Sequence, residues 1–164
     1  MMTMKGLKTA VLGMAVVVSA VLSSCGGSPP PPTIADITIT ASGDVNPDGA
    51  GNGAPVAVRI YQLTSTAAFQ QADFFELYQR EQEVLGADLA GRDEVLITPG
   101  GTQQLRKELR PGVNYIGVVA AFRDIQNANW RATAAPPPNQ TTAVQVSVQG
   151  LNVDVSMAPA GGGS

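Results

Sequence analysis

Apolar and polar residues alternate one by one along most of this chain, the period of strands that bury a single face. Ile37 and Ile39 alternate with Thr38 and Thr40, and after a long turn-rich insert Val56, Val58 and Ile60 alternate with Ala57, Arg59 and Tyr61. Val95 and Ile97 begin a third strand that stops at Pro99-Gly100-Gly101, and Gln103 to Leu109 returns as a fourth before Pro111-Gly112. Tyr115 to Phe122 is apolar on both faces, which places it centrally in a sheet or beneath a helix. Ala128 to Thr133 gives a sixth strand around Trp130, closed by Pro136-Pro137-Pro138-Asn139. Val144, Val146 and Val148 form a seventh, Gly150 turns the chain, and Leu151, Val153, Val155 and Met157 complete an eighth. Short strands at this spacing predict a mainly β fold, an eight-stranded antiparallel β-sandwich.

The pattern breaks once, between the second and third strands. Asp73 followed by Glu76 has the spacing of a capping box, and Phe74, Leu77 and Tyr78 then fall on one stripe. A short helix before it, from about Ser65 to Gln70, carries Phe69 inward. This two-helix insertion covers a sheet face, and its aromatic stripe is core.

The start of the chain follows a different logic. Lys5 and Lys8 precede an apolar stretch from Ala10 to Leu22, too short to span a bilayer comfortably, and Leu22-Ser23-Ser24-Cys25 reads as a bacterial lipobox. In the lipoproteins it resembles, the cysteine thiol receives diacylglycerol, the chain is cut before it, and the new amino group is acylated. Cys25 is therefore the expected lipidation site, with residues 1–24 as signal peptide. Two or more acyl chains anchor stably where one holds only marginally. Gly26 in place of the usual retention signal, Asp, implies export to the outer membrane. Residues 25–33 make a lipidated, proline-rich tether, which at about 3.1 Å per residue stands the domain roughly 20 Å off the membrane. Residues 34–159 form the sandwich and 160–164 a flexible tail.

Cleavage before Cys25 leaves 140 of the 164 residues, enough for one domain with a real core. Losing Lys5 and Lys8 leaves 8 basic against 13 acidic residues, a balance that argues against nucleic acid. The chain has no histidine and a single cysteine, which removes Ser-His and Cys-His catalysis, most zinc sites and any disulfide framework. Of the carboxylates, Asp93-Glu94 or Glu81 with Glu83 could act as an acid-base pair, although adjacent surface carboxylates are ordinarily only solvated. No cofactor and no small-molecule substrate is expected.

Several phrases, in order, resemble one family: Val56 to Leu63 (VAVRIYQL), Ala68-Phe69 with Ala72-Asp73-Phe74, Leu77-Tyr78, Leu85-Gly86, Pro99-Gly100, and Gly117 to Asp124 (GVVAAFRD) followed by Asn129-Trp130-Arg131. Together with the lipobox they are similar to the outer-membrane lipoproteins of the type VI secretion system, TssJ or VasD. The resemblance implies a transthyretin-like sandwich on the periplasmic face of the outer membrane. It also implies a mechanical, non-catalytic role, binding the periplasmic C-terminal part of the inner-membrane protein TssM.

Strand parity locates the contact independently. If strands alternate up and down, the loops after strands one, three, five and seven gather at the end opposite the tether: Asp44 to Ala54, Pro99 to Gly101, Asp124 to Asn127 and the Gly150 turn. The first is long for a hairpin and carries only acidic charge, and the resemblance makes it the TssM contact. Asp44, Val45, Asn46, Pro47, Asp48, Gly49, Asn52 and Gly53 are the candidate partner-binding residues, with Val45 and Pro47 as apolar contacts and Asp44 and Asp48 steering a basic partner. Asp44 to Gly49 also has the opening pattern of a calcium loop, but Pro55 stands where the twelfth-position glutamate is required. Arg59, Arg123 and Arg131 read as solvent-facing arginines lying over the sheet. The alternative function is a periplasmic small-ligand or glycan-binding lipoprotein, with Trp130, Tyr61 and Arg131 converging on a pocket.

Overall fold

The computed structural model describes residues 28–159. The expected signal peptide, the lipidation site Cys25, the first residues of the expected tether and the expected tail at 160–164 lie outside the described residues. In chain order these form β1 (Ile34–Ala41), β2 (Val56–Leu63), α1 (Ala67–Gln71), α2 (Phe74–Gln79), α3 (Glu81–Leu85), a 3₁₀ turn (Gly86–Asp88), β3 (Leu89–Ile97), β4 (Thr102–Glu108), β5 (Tyr115–Ala120), β6 (Arg131–Ala134), β7 (Thr141–Gln149) and β8 (Asn152–Pro159). Two four-stranded sheets, ordered β4-β1-β7-β8 and β3-β2-β5-β6, face each other. The alternating positions close the space between them: Ile37, Ile39, Val144, Val146 and Val148 from one sheet meet Val56, Val58, Ile60, Ile116 and Val118 from the other, all at 0–2% exposure. At about 1.5–3 kcal/mol for each fully buried aliphatic side chain, this row is the main source of stability.

The sandwich departs from the expected all-antiparallel pairing in one place. β1 lies between β4 and β7 and runs parallel to β7, from Ile34 opposite Thr141 to Ala41 opposite Val148. A parallel pair needs a long crossover, and here the whole segment from β2 to β6 supplies it. The insertion holds three short helices and a 3₁₀ turn rather than two helices. β3 starts at Leu89 rather than Val95, because the β2–β3 pairing continues past an irregularity at Gln62/Leu63. β6 starts at Arg131 rather than Ala128, and upstream only Asn129 makes an isolated bridge, to Asn152.

β5 is apolar on both faces because it is central and covered. Its inner residues enter the main core, while Val119 joins a second cluster with Tyr61, Leu63, Phe69, Leu77 and Leu85 beneath the helices. Gly117 is where the helical cover comes closest: a Cβ there would lie 2.8 Å from Phe69 Cζ and 2.9 Å from Leu63 Cδ1. The capping box forms as expected, with Glu76 N–H donating to Asp73 Oδ1 at 2.8 Å and Asp73 N–H to Glu76 Oε2 at 3.0 Å.

Candidate partner-binding end

The four odd-numbered connections meet at one end of the sandwich. Ala41 N–H donates to Gly101 O (3.0 Å), Gly100 N–H to Ser42 O (3.1 Å), and Ser42 N–H to Val148 O (2.9 Å). The chain enters at the other end, where Ile34 N–H donates to Gln140 O (3.0 Å), Leu109 N–H to Thr33 O (2.9 Å) and Asn139 N–H to Thr33 Oγ1 (2.8 Å). The β1–β2 loop therefore lies a strand length from the tether, as parity predicts.

Within that loop the candidate residues divide sharply. Val45 is fully buried in the main core, so it has no surface to offer and the expectation of an apolar contact there is corrected. Asn46 is 2% exposed and left-handed at φ 50°, a region that asparagine tolerates better than most residues. It is a staple between loops. Its N–H donates to Gly150 O at 2.7 Å, its Nδ2 to Pro55 O at 2.8 Å, and its Oδ1 accepts the Arg123 N–H at 2.8 Å. Gly53 is a packing position, since a Cβ would come within 2.1 Å of Gly43 O.

Asp44, Gly49 and Asn52 are exposed, and Pro47 and Asp48 are half-buried. Asp48 organises the loop tip: its Oδ1 accepts the N–H groups of Ala50 and Asn52, both at 2.9 Å, while Asp48 N–H donates to Asn52 O at 2.8 Å. Those two backbone donors hold its carboxyl below the ordinary range. Asp44 is lowered in the same way, chiefly by the Ser42 hydroxyl. Asp44, Asn46 and Asp48 thus direct their polar atoms to separate partners within the protein, and among the described residues no metal-binding cluster of acidic side chains occurs.

Opposite the loop tip stands the β5–β6 connection. Pro47, Asp48 and Gly49 form one wall of an open crevice, Arg123 and Asp124 the other, and Leu151 completes the lining. Asp124 is tied within its own loop, both oxygens accepting from Asn127 Nδ2 at 3.0 and 2.8 Å. Arg123 was expected on a strand, but β5 ends at Ala120 and leaves it in the loop. Leu151 lies in the tight β7–β8 turn rather than in the eighth strand, and no alternation distinguishes it as a crevice residue.

The alternative pocket is filled by the protein itself. Tyr61 is fully buried and its hydroxyl donates to Glu81 at 3.1 Å; burial pushes its pKa up to about 12. Arg131 donates to Phe69 O at 3.0 Å and Ala72 O at 2.7 Å, and its guanidinium lies 4.7 Å from the Trp130 ring, which packs edge-on against Phe74. Arg59 does not face solvent: its side chain is 12% exposed, pinned under α2 by Tyr78 O (2.7 Å) and by Glu81 and Glu94. The suggested acid-base carboxylates are ion-paired, Asp93 with Lys107, Glu81 with Arg59 and Arg92, Glu83 with Arg80, and Glu94 with Arg59 and Arg92.

With this geometry in view, comparison with known proteins agrees with the sequence resemblance. The chain is similar to TssJ1, a type VI secretion lipoprotein from Pseudomonas aeruginosa, at 34% identity over 80% of this chain and 100% of that one, with a TM-score of 0.77. It is similar to Lip of Serratia marcescens, a membrane-bound component of the type VI secretion system, at 25% identity over 76% and 96% of the two chains, TM-score 0.70. A chain of the structure of the TssM C-terminal domain from EAEC aligns at 25% identity over 77% and 98%, TM-score 0.59. No curated protein matches in sequence. Among the described residues no helix is long and apolar enough to cross a membrane. The profile of the type VI secretion lipoproteins, which include VasD, EvfM and TssJ, matches residues 33–151, and the chain belongs to that family.

Proposed function

We propose that this lipoprotein docks the periplasmic C-terminal region of a TssM-type inner-membrane protein to the outer membrane, acting as a structural link without catalysis. Acyl chains on Cys25 hold one end of the molecule, and the end that carries the β1–β2 loop grips the partner. The observation that carries this reading is the separation of the tether entry from that loop, with β1 running between them.

The arrangement suits a load-bearing link. Tension entering at Thr33 and leaving through the β1–β2 loop runs along β1, the strand held on both sides by its neighbours. Every ladder hydrogen bond of β1 then resists together in shear, rather than opening one after another as at a frayed edge. The similarity to a chain in the TssM C-terminal domain structure supports the choice of partner.

Two variants test the reading in the mature chain. Exported behind a cleavable non-lipoprotein signal peptide, the Cys25→Ser chain should move from the membrane to the soluble periplasmic fraction. Deleting Asp48 to Gly53 should weaken binding of the TssM region by about tenfold or more while leaving the melting transition cooperative. Undiminished binding by the deletion variant would place the contact elsewhere.

A further inference from the structure

The described cations are matched to partners with one exception. Arg59, Arg80, Arg92, Arg106 and Lys107 pair with carboxylates, and Arg110 and Arg131 donate to backbone carbonyls. Arg123 alone, among the described residues, has a guanidinium with neither an ion pair nor a hydrogen bond, and it stands on the wall of the crevice at the partner-binding end. The acids around it spend their hydrogen bonds within their own loops, and Asp48 meets the Arg123 charge only through space. Asp48 accepts from the Ala50 and Asn52 amides, Asp124 holds Asn127, and Asp44 holds Ser42.

We propose that Arg123 is the recognition residue of this crevice and that it receives a carboxylate from the partner protein. This rests on the docking reading above and gives the crevice a role the loop's acidic composition does not suggest: the aspartates shape the loop, and Arg123 is the cation there whose side-chain hydrogen-bond donors are unused. The guanidinium presents several donors in a fixed fork that matches a carboxylate bidentately. Its backbone is already placed, because the Arg123 N–H is held by buried Asn46, which also bonds to Gly150 and Pro55. Pro47 and Leu151 supply apolar lining that withdraws water from a seated side chain. The occupant is therefore an acidic residue flanked by apolar ones on the periplasmic region of the TssM-type partner.

The test uses the mature lipidated chain in detergent and the partner's periplasmic C-terminal region. Since the bond to Asn46 uses the Arg123 backbone, Arg123→Ala and Arg123→Glu should keep the wild-type melting temperature. Affinity should fall about tenfold for Arg123→Ala and further for Arg123→Glu, with the wild-type salt dependence flattened in Arg123→Ala. Restoration of Arg123→Glu binding by an acidic-to-lysine substitution in the partner would support the pairing. If Arg123→Glu binds as well as wild type, or better, while deletion of Asp48 to Gly53 abolishes binding, the carboxylate assignment is overturned and docking at this end stands. If wild type does not bind the partner, both are overturned.

Discussion

Asn46 joins three loops through one residue, and its left-handed backbone and buried carboxamide explain how the end carrying the β1–β2 loop holds its shape. Asn46→Ala should cost about 1–3 kcal/mol, because Pro55 O and the Arg123 N–H lose their partners. The matching readout is faster amide exchange at Arg123, together with weaker partner binding from a residue that has no exposed surface. Tyr61 supplies a second test, through pH. Its folded pKa of about 12 lies above the ordinary value of 10.0, so its contribution is fully present below pH 10 and is lost as pH rises towards 12. A shift of this size corresponds to about 3 kcal/mol. Tyr61→Phe should remove that part of the alkaline destabilisation, measured by denaturant unfolding between pH 9 and 12. The contrast between Val45 and Pro47, both read as contacts, shows what sequence conveys here. Loops carry no periodicity, so nothing in Asp44 to Gly49 reveals that the chain dips into the core for two residues before resurfacing.

The elements were far more legible than the loops. Apolar patterning found all eight strands, with the bounds of the third and sixth displaced, and the double-sided apolar run of β5 correctly required cover on both faces. The physical reason appears at Gly117, where the absence of a side chain lets Phe69 rest on the sheet. Gly117→Ala should cost about 1–3 kcal/mol by overpacking, read as a lower denaturation midpoint with an unchanged m-value. Phe69→Leu should relieve part of that loss, since the closest clash is with the phenyl ring. Parity predicted strand directions but not neighbours, so the parallel β1–β7 pair was missed. Two strands running the same way become neighbours only through the global wrap of the chain, which no local pattern encodes. The early start of strand three was missed for a local reason: Arg92, Asp93 and Glu94 show no apolar alternation although they pair in register with Tyr61, Ile60 and Arg59, and the register shifts only beyond them, between Gln62 and Leu63.

For the whole molecule, the proposed function gives the two ends different tasks, with β1 running between them. The tether end is tied together by Thr33, Leu109 and Gln140, and the last prolines of the tether, Pro30 to Pro32, line a crevice with Leu109, Val113 and Pro138. From Pro30 to Pro32 the chain therefore runs along the surface of the domain. Site-specific photocrosslinking in cells distinguishes a partner gripped at the end remote from the lipid from one held at the tether end. A photoreactive residue at Gly49, exposed on the loop with nothing within 4 Å of its Cβ position, is compared with one at Asn139, exposed at the tether end. The TssM-type protein should crosslink from position 49 and not from position 139. A crosslink from 139 with none from 49 would contradict a grip at the remote end.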